Sequence, residues 1–111
     1  MPGPTIWLFS YGTLRDAKVQ LEVFGRRVAA HEDALAGFVI GTIRIGASDH
    51  LILRPGRPDD GVSGVALAVT ENDLIQADAY ETANYVRIAV TLQSGRPAQV
   101  YVARAPNTRV V

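Results

Sequence analysis

The feature that most restricts the fold of this chain is an apolar run, Ile6-Trp7-Leu8-Phe9, carried on through Ser10 and Tyr11 and stopped by Gly12. Aliphatic and aromatic residues follow one another without polar alternation, which is the pattern of a buried strand. The run is too short to serve as a signal peptide or to span a membrane, and the Met-Pro-Gly-Pro-Thr before it carries no cation. A chain with such a strand near its start must cover it, and its 111 residues suffice for one core. The expectation is a single domain over residues 1–111.

Other segments fill in the covering elements. Asp16 is placed to cap a short helix through Phe24 that Gly25 closes. Phe38 to Ile45 reads as a curved or bulged strand between glycines, followed by a short strand, His50 to Leu53, and an exposed turn from Pro55 to Gly61. Val62 to Val69 is another strand. Thr70-Glu71-Asn72-Asp73 then resembles a capping box, predicting a helix from Glu71 to about Thr82 or Ala83. Tyr85 to Leu92 alternates cleanly, with Val86, Ile88, Val90 and Leu92 on one side and Tyr85, Arg87, Ala89 and Thr91 on the other. The Ser94–Pro97 turn returns it as a hairpin through Ala98–Ala103. Six strands and two helices with short links predict an α+β domain with a curled, barrel-like sheet.

Charge and cysteine content remove whole classes of function. Eleven Lys and Arg balance eleven Asp and Glu, so the chain lacks the cationic surplus that nucleic acid or an anionic membrane surface demands. No nucleic-acid or membrane partner is expected. The absence of cysteine excludes disulfide scaffolds, thiolate metal sites and cysteine nucleophiles, and suits a cytoplasmic location. No Walker loop, dinucleotide fingerprint or nucleophile elbow is present. His31 and His50 lack partners at metal-ligand spacing, so neither a metal nor any other cofactor is expected.

Two clusters could carry chemistry. Tyr11-Gly12-Thr13-Leu14 ends the buried strand, where a glycine allows close backbone approach and successive amides can form a nest for a carboxylate or an oxyanion. A plain strand-ending turn, with Tyr11 and Leu14 in the core, would use the same letters. The second cluster is Asp78-Ala79-Tyr80-Glu81. Leu74, Ala77, Asp78 and Glu81 share one helical face, which brings two carboxylates to the inward stripe. Burial and the negative helix C-terminus both raise the proton affinity of Glu81 toward the range of acid–base catalysis. Either Asp78 or Glu81 could instead pair with Arg87, while Tyr85 and Arg87 could line the same cavity or face outward.

Taken together, Leu8-Phe9-Ser10-Tyr11-Gly12-Thr13-Leu14-Arg15, Val23-Phe24-Gly25-Arg26 and Asp78-x-Tyr80-Glu81-x-x-x-Tyr85-x-Arg87 resemble the γ-glutamylcyclotransferase family. The likeness is greatest to its short bacterial, AIG2-like branch, and it runs from the first strand to about Tyr101. It implies an α+β fold, a small, partly closed mixed β-barrel with helices packed outside. It also implies a small-molecule γ-glutamyl substrate, held by Tyr11, Gly12, Thr13 and Leu14, with Glu81 as the acid–base catalyst. Tyr85 and Arg87 correspond to a tyrosine and an arginine that follow that glutamate, and the resemblance implies that both bind the substrate as well. The implied reaction needs no cofactor and releases 5-oxoproline; a non-catalytic module binding a metabolite or a protein on the same fold is the alternative. After the loop the chain reads Arg15-Asp16-Ala17-Lys18, without the Gly and Asn of the animal γ-glutamylamine enzymes.

Overall fold

The Ile6–Ser10 strand, β1, is paired on both edges and covered on both faces. A computed structural model describes residues 5–81 and 85–103 of the chain. In chain order the elements after β1 are α1 (Ala17–Phe24), β2 (Ala30–Ala36), β3 (Phe38–Ile45), β4 (Ser48–Pro55), β5 (Gly61–Val69), α2 (Glu71–Glu81), β6 (Tyr85–Thr91) and β7 (Pro97–Ala103). β1 runs antiparallel to β5 and parallel to β7, in a mixed sheet of order β2-β5-β1-β7-β6. β3 and β4 form a separate two-stranded ribbon.

Successive residues of β1 enter opposite layers, which is why the run needs no polar alternation. Leu8 packs with Leu67, Leu74, Ala77 and the α1 residues Val19, Val23 and Phe24. Phe9 packs the other way, with Leu53, Val62, Ala66 and Val100 and with Phe38 of the ribbon. Leu8 and Phe9 are 0% and 1% exposed, so both faces of the sheet are sealed at this point, by helices on one side and by the ribbon on the other.

The sheet curls until its two edges touch at one end. Beyond β6, the Gln93 amide donates to the Ala34 carbonyl of β2 at 2.8 Å. The buried Asp33 carboxylate accepts from the Ser94 hydroxyl at 2.5 Å and from Arg96 at 2.9 Å. Elsewhere β2 and β6 remain separate edges, so the barrel is only partly closed.

Local chemistry explains the helix ends. The Asp16 carboxylate accepts from the Lys18 amide at 2.8 Å, and Gly25 closes α1 with φ 75°. At the start of α2 the Thr70 amide donates to Asp73 at 2.8 Å, and the Asp73 amide donates to the Thr70 hydroxyl at 3.1 Å. That is the expected reciprocal cap. Asp73 also takes a bidentate pair from Arg26 at 2.7 and 2.8 Å, tying the end of α1 to the start of α2. The last expected helical residues, Thr82 and Ala83, lie outside the described residues.

Two expectations are corrected. Among the described residues there are seven strands rather than six, because Ala30–Ala36 pairs with β5 from Ala30↔Leu67 to Ala36↔Gly61. Alanines and acids with no β-branched residue give that segment no strand signature, and tertiary pairing makes it one. Of the curved or bulged strand expected over Phe38 to Ile45, the bulge is absent: the pairing of β3 with β4 is unbroken from Phe38↔Pro55 to Ile45↔Ser48. Its tight turn is made by Gly46, whose φ of 62° is the left-handed geometry that a two-residue hairpin loop requires.

Candidate active site

At the end of β1 the chain turns away from the sheet and builds one wall of a cavity. Tyr11 is buried, and its hydroxyl donates to the Tyr101 carbonyl at 2.9 Å. A single 3-10 turn, Thr13–Arg15, follows Gly12. The carbonyls of this loop are each taken up from within the protein. Gly12 accepts from the Arg15 amide and from Arg15 Nε, both at 3.2 Å, and Thr13 accepts from the Asp16 amide at 2.9 Å. Leu14 accepts from the buried Gln20 side chain at 3.0 Å, and Gln20 in turn accepts from the Val28 amide at 3.1 Å. Across a trans peptide the carbonyl and the next N–H point opposite ways. Fixing the Gly12 and Thr13 carbonyls therefore turns the Thr13 and Leu14 amides to the other side of the loop.

Helix α2 supplies the facing wall. Leu74 and Ala77 are buried against the sheet, so Glu81, seven and four residues further on, falls on the same side. Its half-buried carboxyl is pushed up by burial to about 7. The competition for Arg87 is won by Asp78. Arg87 Nε and Nη2 donate to the two Asp78 oxygens, both at 2.9 Å, and the Tyr101 hydroxyl donates to Asp78 at 2.5 Å. The Arg87 bonds, helped by Tyr101 and opposed by burial, hold Asp78 below the ordinary carboxylate range. One turn of helix thus carries two carboxyls with opposite tendencies.

The cavity has a volume of about 540 Å³. Its walls include Tyr11, Gly12, Thr13 and Leu14 from the loop and Tyr80 and Glu81 from α2. Tyr85 and Tyr101 line it from β6 and β7, and Asp49, His50 and Leu51 from β4. The Tyr85 hydroxyl crosses to the ribbon and donates to the Leu51 carbonyl at 2.7 Å. Burial pushes the phenols of Tyr11, Tyr85 and Tyr101 upward, so at neutral pH they are uncharged donors. Among the described residues no group of three or more His, Asp or Glu comes together to hold a metal ion.

Of the residues singled out in the sequence, Tyr11, Gly12, Thr13, Leu14, Glu81 and Tyr85 meet at this cavity. Arg87 does not line it and is engaged by Asp78 and by Gln99, the latter at 3.2 Å. Sequence reasoning gave no role to Tyr80, Tyr101 or Gln20. Tyr80 had one signal, its place next to Glu81 on the last helical turn. The segment from Ala47 to Asp60 is the one expected to build the leaving-group half of the pocket, and its Asp49, His50 and Leu51 line the cavity as part of β4.

A mixed sheet between two layers carries a glycine loop and a half-buried carboxyl on one cavity, whose volume is in the range of small-molecule sites. Residues 8–110 match the family described as Gamma-glutamyl cyclotransferase, AIG2-like, and the chain belongs to that family. No curated protein matches it in sequence. Among solved structures it is similar to two Arabidopsis thaliana proteins studied in solution. One has a TM-score of 0.75 at 21% identity, over 96% of this chain and 76% of that one. The other has a TM-score of 0.73 at 17% identity, over 93% of this chain and 65% of that one, just under two thirds of its length. It is also similar to a structure described as a gamma-glutamyl cyclotransferase, with a TM-score of 0.71 at 18% identity, over 91% of this chain and 68% of that one. At these identities the likeness speaks for the fold. No helix among the described residues is long and apolar enough to cross a membrane.

Proposed function

We propose that this chain is a γ-glutamylcyclotransferase, releasing 5-oxoproline and an amine from a γ-glutamyl compound with Glu81 as general acid and base. The observation that carries the reading is the placement of the Glu81 carboxyl, raised by burial to about 7, on the same cavity as the Tyr11–Leu14 loop. A carboxyl of that affinity is present in both forms at neutral pH, as an acid–base group that must first take and then return a proton should be.

Nucleophile and electrophile belong to one substrate molecule, so the protein has to fold it and move protons. Glu81 takes a proton from the substrate's α-ammonium. The freed amine forms a bond to the γ-carbonyl carbon, and the oxyanion that develops is stabilised by the Thr13 and Leu14 amides. The bond from that carbon to the leaving nitrogen then breaks as Glu81 returns a proton to it, and Glu81 passes the second proton of the attacking nitrogen to the departing amine, which leaves as an ammonium beside the neutral lactam. Tyr85 and the loop hold the substrate. Arg87 acts from behind the wall, through Asp78 and Tyr101. Every proton is accounted for without a cofactor.

The deciding experiment incubates the purified chain with γ-glutamyl amines, amino acids and peptides and measures 5-oxoproline. Release from at least one of them, lost in Glu81→Gln, is expected. Saturable binding of such compounds with no release from any would replace the enzyme by a binding module.

A further inference from the structure

Glu81 stands one turn beyond Asp78, and Asp78 is where this end of α2 is fastened to the sheet. The Asp78 carboxylate receives two bonds from Arg87 of β6 and one from Tyr101 of β7, and Arg87 is braced by Gln99 of the same strand as Tyr101. Residues three apart on a helix share a face, with Cβ atoms about 5–6 Å apart. The Asp78–Arg87 pair therefore belongs to the immediate surroundings of Glu81. Yet the pair is poorly suited to stabilising the fold, since its side chains are 44% and 28% exposed.

We propose that Asp78 is a positioning residue for Glu81: it locks the last turn of α2 at the cavity and, by binding Arg87, keeps the guanidinium charge from stabilising the Glu81 carboxylate. The proposal rests on the reading of Glu81 as the acid–base group. An unpaired guanidinium would lower the proton affinity of Glu81, leaving a carboxylate too weak a base to take the proton of the α-ammonium. An unpaired Asp78 carboxylate would do the reverse and keep Glu81 protonated. Only the neutral pair lets burial set the balance.

The remaining groups facing Glu81 do not change this logic. They are Tyr11 from the loop, Asp49 and His50 from β4, Tyr85 from β6, Tyr101 from β7 and Tyr80 on its own helix. The phenols of Tyr11, Tyr85 and Tyr101 are uncharged at neutral pH. Asp49 is largely exposed and sits 3.5 Å from Arg44. None of these groups is altered in the variants below.

The test is a titration of the Glu81 carboxyl in the full chain by carbon-13 NMR, with Glu81→Gln to identify its resonance. The wild-type midpoint should lie near 7. Asp78→Asn should lower it by about one pH unit, Arg87→Met should raise it by a similar amount, and the double variant should return it close to wild type. A tie that is merely structural predicts no such opposition, and equal or absent shifts in the two single variants would overturn the proposal. Should Asp78→Asn fail to fold, Arg87→Met alone decides, because a midpoint that falls or stays put defeats it. In turnover, Asp78→Asn should lower kcat about tenfold with KM within twofold, and its acid limb should follow the NMR midpoint. Opposite NMR shifts in a protein that releases no 5-oxoproline would sink the proposed function while sustaining this one. Turnover that depends on Glu81, with no opposite shifts, would do the converse.

Discussion

The hydroxyls of Thr13 and Tyr80 meet at 2.8 Å, joining the loop after Gly12 to the helical turn that carries Glu81. The two groups lie on separate walls of one cavity, 67 residues apart in sequence. Whichever hydroxyl donates, the bond fixes the spacing between the anion-binding side of the proposed site and its acid–base side.

Tyr80→Phe removes that bond and little else, because Tyr80 is 38% exposed. A hydrogen bond of this kind contributes roughly 0.5–1.5 kcal/mol. KM for a γ-glutamyl substrate should rise about twofold to tenfold, with kcat within about twofold and a melting temperature lower by no more than several degrees. A fall in kcat at constant KM would show that the bond acts in the chemical step.

Glu81→Gln separates chemistry from folding. It keeps the size of the side chain but cannot exchange a proton, so turnover should fall by roughly 100-fold to 10,000-fold while substrate binding changes far less. Steady-state kinetics beside equilibrium binding of an unreacted γ-glutamyl compound measures both. Near-normal turnover would remove Glu81 from the mechanism.

The same variant predicts a pH dependence of stability with a definite sign. Glu81 is raised from an ordinary 4.5 to about 7, so between those values the folded chain holds a proton that the unfolded chain has lost. Stability from this group is intact below about pH 4.5, declines as pH rises, and is fully lost above about 7. Glu81→Gln lacks the effect. Its advantage over wild type should be absent at pH 4 and grow to roughly 1–2 kcal/mol at pH 8, allowing for solvent screening of a half-buried group. Urea unfolding at the two pH values reads the difference, and an advantage greatest at low pH would contradict the burial of Glu81.

Gly12→Ala tests whether the fold or a ligand requires this glycine. Its φ of −130° suits any residue, and a Cβ there would meet no atom within 4 Å. Stability should change by no more than about 0.5–1 kcal/mol, in either direction. At the cavity wall the added methyl would meet the substrate instead, and kcat/KM should drop at least about tenfold. Normal kinetics would mean that nothing approaches the loop closely.

Gly64 presents the opposite case. A Cβ at this position would lie 2.8 Å from the Phe9 ring and would also press on the Ser10 carbonyl. Gly64→Ala should therefore cost roughly 1–3 kcal/mol, visible as a melting temperature lower by several degrees. The loop begins one residue beyond Ser10, so remaining activity should fall as well. An unperturbed melting temperature would show that β1 and β5 can separate without loss.

What the sequence determined by itself was the local chemistry. The unbroken run of β1 declared a strand buried on both faces, Asp16 and Gly25 bounded α1, and Thr70 with Asp73 opened α2. The alternation of β6 declared its hairpin with β7. These features depend on neighbours a few residues away, where dihedral preference, capping and side-chain periodicity act. Tertiary structure decided the rest. β2 is a strand because β5 accepts it, and β4 reaches the cavity because the ribbon folds over the sheet. The sequence favours Glu81 over Asp78 as the acid–base group, but it is tertiary structure that brings Arg87 and Tyr101 beside Asp78 while burial surrounds Glu81. A carboxyl's proton affinity is set by the charges and water around it, and those are delivered by strands distant in the chain.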